Sequence, residues 1–237
     1  MSAVEMGLVN GKSATTYAPN DNLTYAEAIK LAACMNQLYN EGAISLASGN
    51  LTVEEGMSFH DAELASASGD ITVCVPVTGT LEADTASGNV VLGPAAEPYG
   101  SVEVGTASGG VSMIGIDALS LDVDTASGEI ALTDVSAGDI LSESASGEIT
   151  FIRVTADREM EFDTASGDVR FEEIAAPEIS AETTSGDVRG SVAGGMVIFA
   201  KSTSGNIRVP YPASETEGVF EISTTSGDVE ITQAGNS

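Results

Sequence analysis

The sequence predicts an all-β chain: a single-stranded, right-handed parallel β-helix of about ten coils, preceded by a short α-helical cap. Three observations carry that reading. Ten copies of one motif (ASGNL, ASGDI, ASGNV, ASGGV, ASGEI twice, ASGDV, TSGDV, TSGNI and TSGDV) recur at steps of 19 to 22 residues. The residues before each motif alternate apolar and polar with a period of two, the signature of a strand. The composition is rich in small residues, with 26 Gly and no Trp, as suits tight turns and thin cores.

The repeat sets the frame. The motif glycines are Gly49, Gly69, Gly88, Gly109, Gly128, Gly147, Gly167, Gly186, Gly205 and Gly227. In the copy around Gly88, Leu81, Ala83, Thr85 and Ser87 share one face, and Glu82, Asp84 and Ala86 share the other. Unpaired charge cannot be buried, so the Leu/Ala/Thr face is inward. After the glycine the apolar positions shift parity, to Val90 and Leu92. A one-residue slip flips side chains to the opposite face unless the backbone bends, so each Ser-Gly-x is read as a corner. Glycine is expected there because a left-handed backbone angle, or close approach of stacked backbones, excludes a Cβ.

Stacking turns each motif position into a file. The first apolar file is Leu51, Ile71, Val90, Val111, Ile130, Ile149, Val169, Val188, Ile207 and Val229. The second runs from Val53 through Val73, Leu92, Met113, Leu132, Phe151 and Phe171 to Gly190, Val209 and Ile231. An inward hydroxyl file runs Ser66, Thr85, Thr106, Thr125, Ser144, Thr164, Thr183, Ser202 and Thr224, and needs backbone or mutual hydrogen bonds. Ile116, Val135, Val154 and Ile174, seven residues after their glycines, suggest a third face. Residues 93–98 and 211–215 read as loops leaving this frame. At a strand spacing of about 4.8 Å, ten coils give a rod roughly 48 Å long.

Charge narrows the function. With 36 Asp+Glu against 8 Lys+Arg the net charge is −28, so nucleic acid and anionic membrane surfaces are not expected partners. No run approaches 18 consecutive apolar residues, so no membrane span is expected. Met1 to Asn10 carries Glu5 and no Lys or Arg, so no secretory leader is read in this chain. The acidic files are read first as a solvated surface. Calcium capture is the alternative, with Asp84, Asp124, Glu143 and Asp163 as candidate ligands, because Ca²⁺ takes several oxygens. Arg170, Arg189 and Arg208 form a basic file expected to pair with neighbouring acids. His60 is the only histidine and is read as a loop residue, and no nucleophile elbow, zincin or phosphate-loop motif occurs, so no catalysis is expected. Cys34 and Cys74 are read as free thiols.

Residues 1–42 lack the repeat and are assigned to a separate helical segment, with the solenoid over 43–237. Thr24 as N-cap and Glu27 at N3 form a capping box, Ala28, Leu31, Ala32, Met35, Leu38 and Tyr39 follow helical spacing, and Gly42 suits a C-cap. A helix over about 25–40 is expected to cover the open end of the solenoid.

Two resemblances rest on these residues. Gly7 to Gly11, then Tyr17-Ala18-Pro19 through Leu23-Thr24-Tyr25-Ala26-Glu27-Ala28, resembles the second half of an S-layer homology motif over about 5–41, with Tyr25 in place of the family's arginine. That resemblance implies contact between Thr24 and Glu27 and a cell-wall polymer. The repeated ASGD-[VI] coils over 43–237 resemble bacterial adhesin-type β-solenoid domains, which implies a cell-surface setting and a glycan, wall polymer or surface protein as partner. Two further readings stay open: a scaffold built by end-to-end self-association, because the chain stops just after a coil, and a polysaccharide-active enzyme.

Overall fold

The structure is a computed structural model that describes residues 41–46, 48–53, 58–211 and 218–233. The expected helix over 25–40, Thr24, Glu27 and Cys34 lie outside the described residues. Gly42, read above as a helix C-cap, instead belongs to a strand and pairs with Ala62. Its lack of a side chain suits either role, so composition alone did not separate them.

Every strand pairing is parallel, and the described residues form a β-solenoid of about nine turns with no helix. The strands are β1 (Glu41–Leu46), β2 (Leu51–Val53), β3 (Asp61–Ser66), β4 (Ile71–Val73), β5 (Thr80–Thr85) and β6 (Val90–Leu92). They continue as β7 (Tyr99–Thr106), β8 (Val111–Ile114), β9 (Asp117–Thr125), β10 (Ile130–Ser144), β11 (Ile149–Thr164) and β12 (Val169–Ile174). The last are β13 (Glu178–Thr183), β14 (Val188–Val192), β15 (Met196–Ser202), β16 (Ile207–Arg208), β17 (Gly218–Thr224) and β18 (Val229–Gln233). Odd-numbered strands up to β9 precede a corner and even-numbered strands follow one. The long β10 and β11 each pass through the third face and serve both sheets.

The inward files form the core. Leu51, Ile71, Val90, Val111, Ile130, Ile149, Val169 and Val188 are buried in one file, and Ile116, Val135, Val154 and Ile174 are buried on the third face. Aromatic rings run along the axis of the later coils: Phe151 lies 4.7 Å from Phe162, Phe162 lies 6.2 Å from Phe171, and Phe171 lies 5.5 Å from Phe220. Ser142, between Val123 and Phe162 in its file, is the one buried side-chain oxygen without a partner among the described residues.

The corners are where backbones come closest. A Cβ placed on Gly69, Gly88, Gly109, Gly128, Gly147, Gly167 or Gly186 would run into the carbonyl oxygen of the corner glycine one coil earlier. Close approach is therefore the reason for glycine; among the ten corners only Gly49 has a left-handed angle, at φ +113°. The hydroxyl file locks each corner. Thr125 Oγ1 accepts from Gly128 N–H at 2.9 Å and donates to Gly109 O at 3.4 Å. Thr85, Thr106, Thr183 and Thr224 repeat both bonds.

The stack does not follow the chain to its end. β13 and β14 pair with β17 and β18, and β15 and β16 then pair on the far side of those strands. The corner glycines accordingly run Gly186, Gly227, Gly205, and the files written in chain order above exchange their last two members. The core explains the exchange. Gly190 leaves room for the Phe171 ring, which a Cβ there would strike, and that ring reaches Phe220 on β17. Phe220, Ile222, Val229 and Ile231 are all buried, whereas Ile207 on β16 is 44 % exposed. At the paired inward positions the inner coil carries the larger side chains, Phe220 against Ile198 and Ile222 against Ala200, so the inner layer holds the coil whose burial returns more. β16 is short because Pro210 has no N–H to extend its ladder.

Substituting Gly128→Val should destabilise the rod by more than about 2 kcal/mol, because backbone rather than a flexible side chain occupies the space. Thermal denaturation checks this, and an unchanged midpoint would show that the corner is not close-packed.

Candidate functional site

Among the described residues, the outward files carry most of the solenoid's charged side chains. Alternation in the strands before each corner places Glu82, Asp84, Glu103, Asp122, Asp124, Glu143, Asp163 and Glu182 outside. Register sets their neighbours: Asp124 lies beside Glu143, Glu143 beside Asp163, and Asp163 beside Glu182. Asp84 is set apart, since Gly105 separates it from Asp124. Among the described residues, no group of three or more His, Cys, Asp or Glu side chains is arranged to hold a metal ion. The four calcium candidates are thus an outward file interrupted at Gly105 rather than a convergent cluster.

These carboxylates repel one another. Burial, then Asp84, Glu63 and Glu103, pushes Glu82 above its usual range. Burial and Asp124 raise Asp122. Burial, then Asp124 and Asp163, raises Glu143.

The file just after the corners behaves differently, because six of its side-chain oxygens accept from a backbone N–H in the neighbouring coil. Asn50 Oδ1 accepts from Asp70 N–H at 3.0 Å, Asp70 Oδ1 from Asn89 N–H at 2.8 Å, and Asn89 Oδ1 from Gly110 N–H at 2.9 Å. Asp168, Asp187 and Asp228 continue the pattern in the later coils. Backbone and side-chain bonds from Asn206 hold Asp228 below its usual range. These short side chains are structural: they satisfy backbone donors at a bend.

The arginines pair as expected, in a changed order. Arg170 lies beside Arg189, but Glu230 separates Arg189 from Arg208 because of the coil exchange. Arg170 bonds Glu148 and lies 2.9 Å from Asp168, Arg189 lies 2.7 Å from Asp187, and Arg208 lies 3.1 Å from Glu230. Two pairs were not read from the sequence: Arg153 with Asp134, bidentate at 2.5 and 2.8 Å, and Arg158 with Asp139. Asp134 and Arg153 sit with Glu173 in left-handed backbone at φ 52–55°, where the chain turns onto the third face. All are exposed pairs, so each contributes little stability. His60 is an exposed loop residue 3.4 Å from Thr78 Oγ1, and Cys74 is a half-buried free thiol.

With that geometry in hand, the comparisons decide the family. Residues 91–237 match the family described as Toastrack DUF4097. The chain belongs to the Toastrack family. Residues 1–29 match the S-layer homology domain, in the segment where that resemblance was read. No curated protein and no solved structure matches the chain.

The raised and lowered carboxyls give opposite pH effects. A raised carboxyl binds its proton more tightly in the folded state, so protonating Glu82, Asp122 and Glu143 stabilises the rod as pH falls through their folded values. Asp134, Asp139 and Asp228 are lowered, so their contribution is held above their usual range and lost only in stronger acid. Melting temperature should therefore rise from about pH 7 to about pH 5 and fall below about pH 3.5. A steady fall from neutrality would contradict the unpaired acidic face.

Proposed function

We propose that this Toastrack solenoid is a non-catalytic, cell-surface binding and display module. The S-layer homology segment holds a cell-wall polymer, and the rod presents its outer files to a glycan or surface protein. The observation that carries the reading is the pairing, in one chain, of an S-layer homology match at 1–29 with the solenoid that follows it. S-layer homology domains bind cell-wall polymers, and Thr24 and Glu27 fall within the matched segment. Two features of the rod support a display role. Its hydrogen-bonded corners make it stiff, and its unpaired acidic files make it soluble and resistant to lateral association.

Co-sedimentation of the full chain with purified bacterial cell walls tests this. The chain should pellet with walls that retain their secondary polymers and stay in solution with walls stripped of them. Thr24→Ala combined with Glu27→Ala should cut the pelleted fraction at least about threefold, the loss of one or two polar contacts. Equal pelleting with both wall preparations would overturn the reading.

A further inference from the structure

The coil exchange places β15, rather than the last strand of the chain, at the end of the stack. β15 pairs with β17 on one side and with nothing among the described residues on the other. The edge is open to solvent. Phe199 is 59 % exposed, and Ile198 and Ala200 are only half-buried where Phe220 and Ile222, their counterparts one layer in, are buried. An open groove of about 640 Å³ runs along this edge, lined by Ile198, Phe199, Ala200, Lys201, Ile207 and Val209.

We infer that this edge pairs antiparallel with the same edge of a second copy of the chain, about a two-fold axis at Phe199, so that two rods join tail to tail. Hydrogen bonding sets the register. Thr203 N–H bonds Thr224 O, on the β17 side. Alternate residues of a strand turn their N–H and C=O groups to opposite edges. The register from Met196 to Ser202 is uninterrupted, so Val197, Phe199 and Lys201 turn towards β17, and Ile198 and Ala200 turn towards the open end. Phe199 is the midpoint of Met196–Ser202, so an axis there overlaps all seven residues of the strand. Ile198 of one copy then stands opposite Ala200 of the other and exchanges both bonds with it. An axis through a residue preserves the alternation, so inward side chains meet inward ones, a large Ile against a small Ala. Phe199 meets its own copy as a non-hydrogen-bonded pair, where side chains approach most closely and aromatic pairs gain most.

Charge says why the occupant is a second copy. Every other strand before a corner, from β3 to β17, carries at least one Asp or Glu. β15, with the sequence MVIFAKS, carries none. The three outward files that hold Glu178, Glu161 and Glu182 in β11 and β13 end on Val197, Phe199 and Lys201. Like charges opposite one another are unfavourable, so an acidic end would repel its own copy, and this end layer has lost the acids. Lys201 falls opposite Val197 of the second copy, its stem along the apolar side chain and its ammonium in water. β16 is two residues long and Pro210 follows closely, so that strand adds the apolar side chains of Ile207 and Val209 rather than a further ladder. An isologous contact of this kind closes on itself, so association stops at the dimer.

Sedimentation equilibrium of the full chain over a wide concentration range tests this. The weight-average mass should rise from 24.0 kDa to a plateau at twice that value, reached at lower protein concentration as salt is raised from about 0.05 to about 0.5 M, which screens the net charge of −28. Phe199→Glu sets two carboxylates face to face on the axis, and Ala200→Pro removes a donor that faces away from β17. Each should return the mass to the monomer with unchanged circular dichroism. Ile114→Glu, at a mid-rod residue that is 51 % exposed, should leave the dimer intact. With Cys34 and Cys74 replaced by serine, Phe199→Cys should oxidise to a covalent dimer and Ile114→Cys should not, because partners in a non-hydrogen-bonded antiparallel pair lie about 4.5 Å apart at Cα, within disulfide range. A mass of 24.0 kDa throughout, growth past twice that mass, a dimer insensitive to both β15 variants, or equal cross-linking at 199 and 114 would overturn the inference.

Discussion

The closest backbone approach in the solenoid, corner glycine against corner carbonyl, is the constraint from which the rest follows. A parallel stack needs successive coils one strand spacing apart, and the tightest place is the bend. Replacing a Cβ with hydrogen opens that bend. A threonine or serine hydroxyl three residues earlier then closes the polar ledger, accepting from the glycine N–H and, in most coils, donating to the carbonyl below. Neither device works alone. Without the glycine the coils cannot approach, and without the hydroxyl the buried N–H loses its partner, which costs about 1–3 kcal/mol. The combination recurs in the interior coils, so the rod's stability is a sum of near-identical junctions.

Much of this was legible because the chain repeats itself. The spacing of Gly49 through Gly186, the parity slip at each corner and the Ser/Thr file led to parallel stacking, inward hydroxyls and outward acids, and the structure shows all three. The exchange of the last two coils was not legible. The motifs at Gly205 and Gly227 are nearly the same, TSGNI and TSGDV, and a repeat unit carries no address. What distinguishes the two coils lies outside the motif: Phe220 packs against the Phe171 ring that Gly190 admits, and Pro210 cuts a ladder short. The left-handed bends at Arg153 and Glu173 were also hidden, because neither residue type signals a positive φ. Their neighbours in the stack, Gly115 and Asp134, are types that tolerate it, so a register-aligned reading of that file held the only signal.

For the candidate surface, sequence placed the acidic residues on the correct face but not their differing roles. The aspartates and asparagines directly after the corners, Asn206 of the last layer excepted, accept from backbone donors one coil away. The carboxylates of the preceding strands have no such partners and only repel each other. In the later coils cations offset part of the acidity: every Lys and Arg beyond residue 40 falls between 153 and 208. The rod is thus graded along its length, strongly acidic at its start and partly neutralised at its end. The grading gives it a direction that neither the fold class nor the repeat would impose.

Disulfide trapping across the last layers tests the stacking most directly, because strands one layer apart place Cα atoms within bonding range and strands two layers apart do not. In a background with Cys34 and Cys74 replaced by serine, Glu182→Cys with Ser223→Cys should oxidise readily, since those positions are paired neighbours. Glu182→Cys with Lys201→Cys should stay reduced, since Lys201 pairs with Ser223 one layer further on. Rapid oxidation of the second pair and not the first would mean that the coils stack in chain order, and would contradict the packing of Phe220 against Phe171 on which the end of the rod depends.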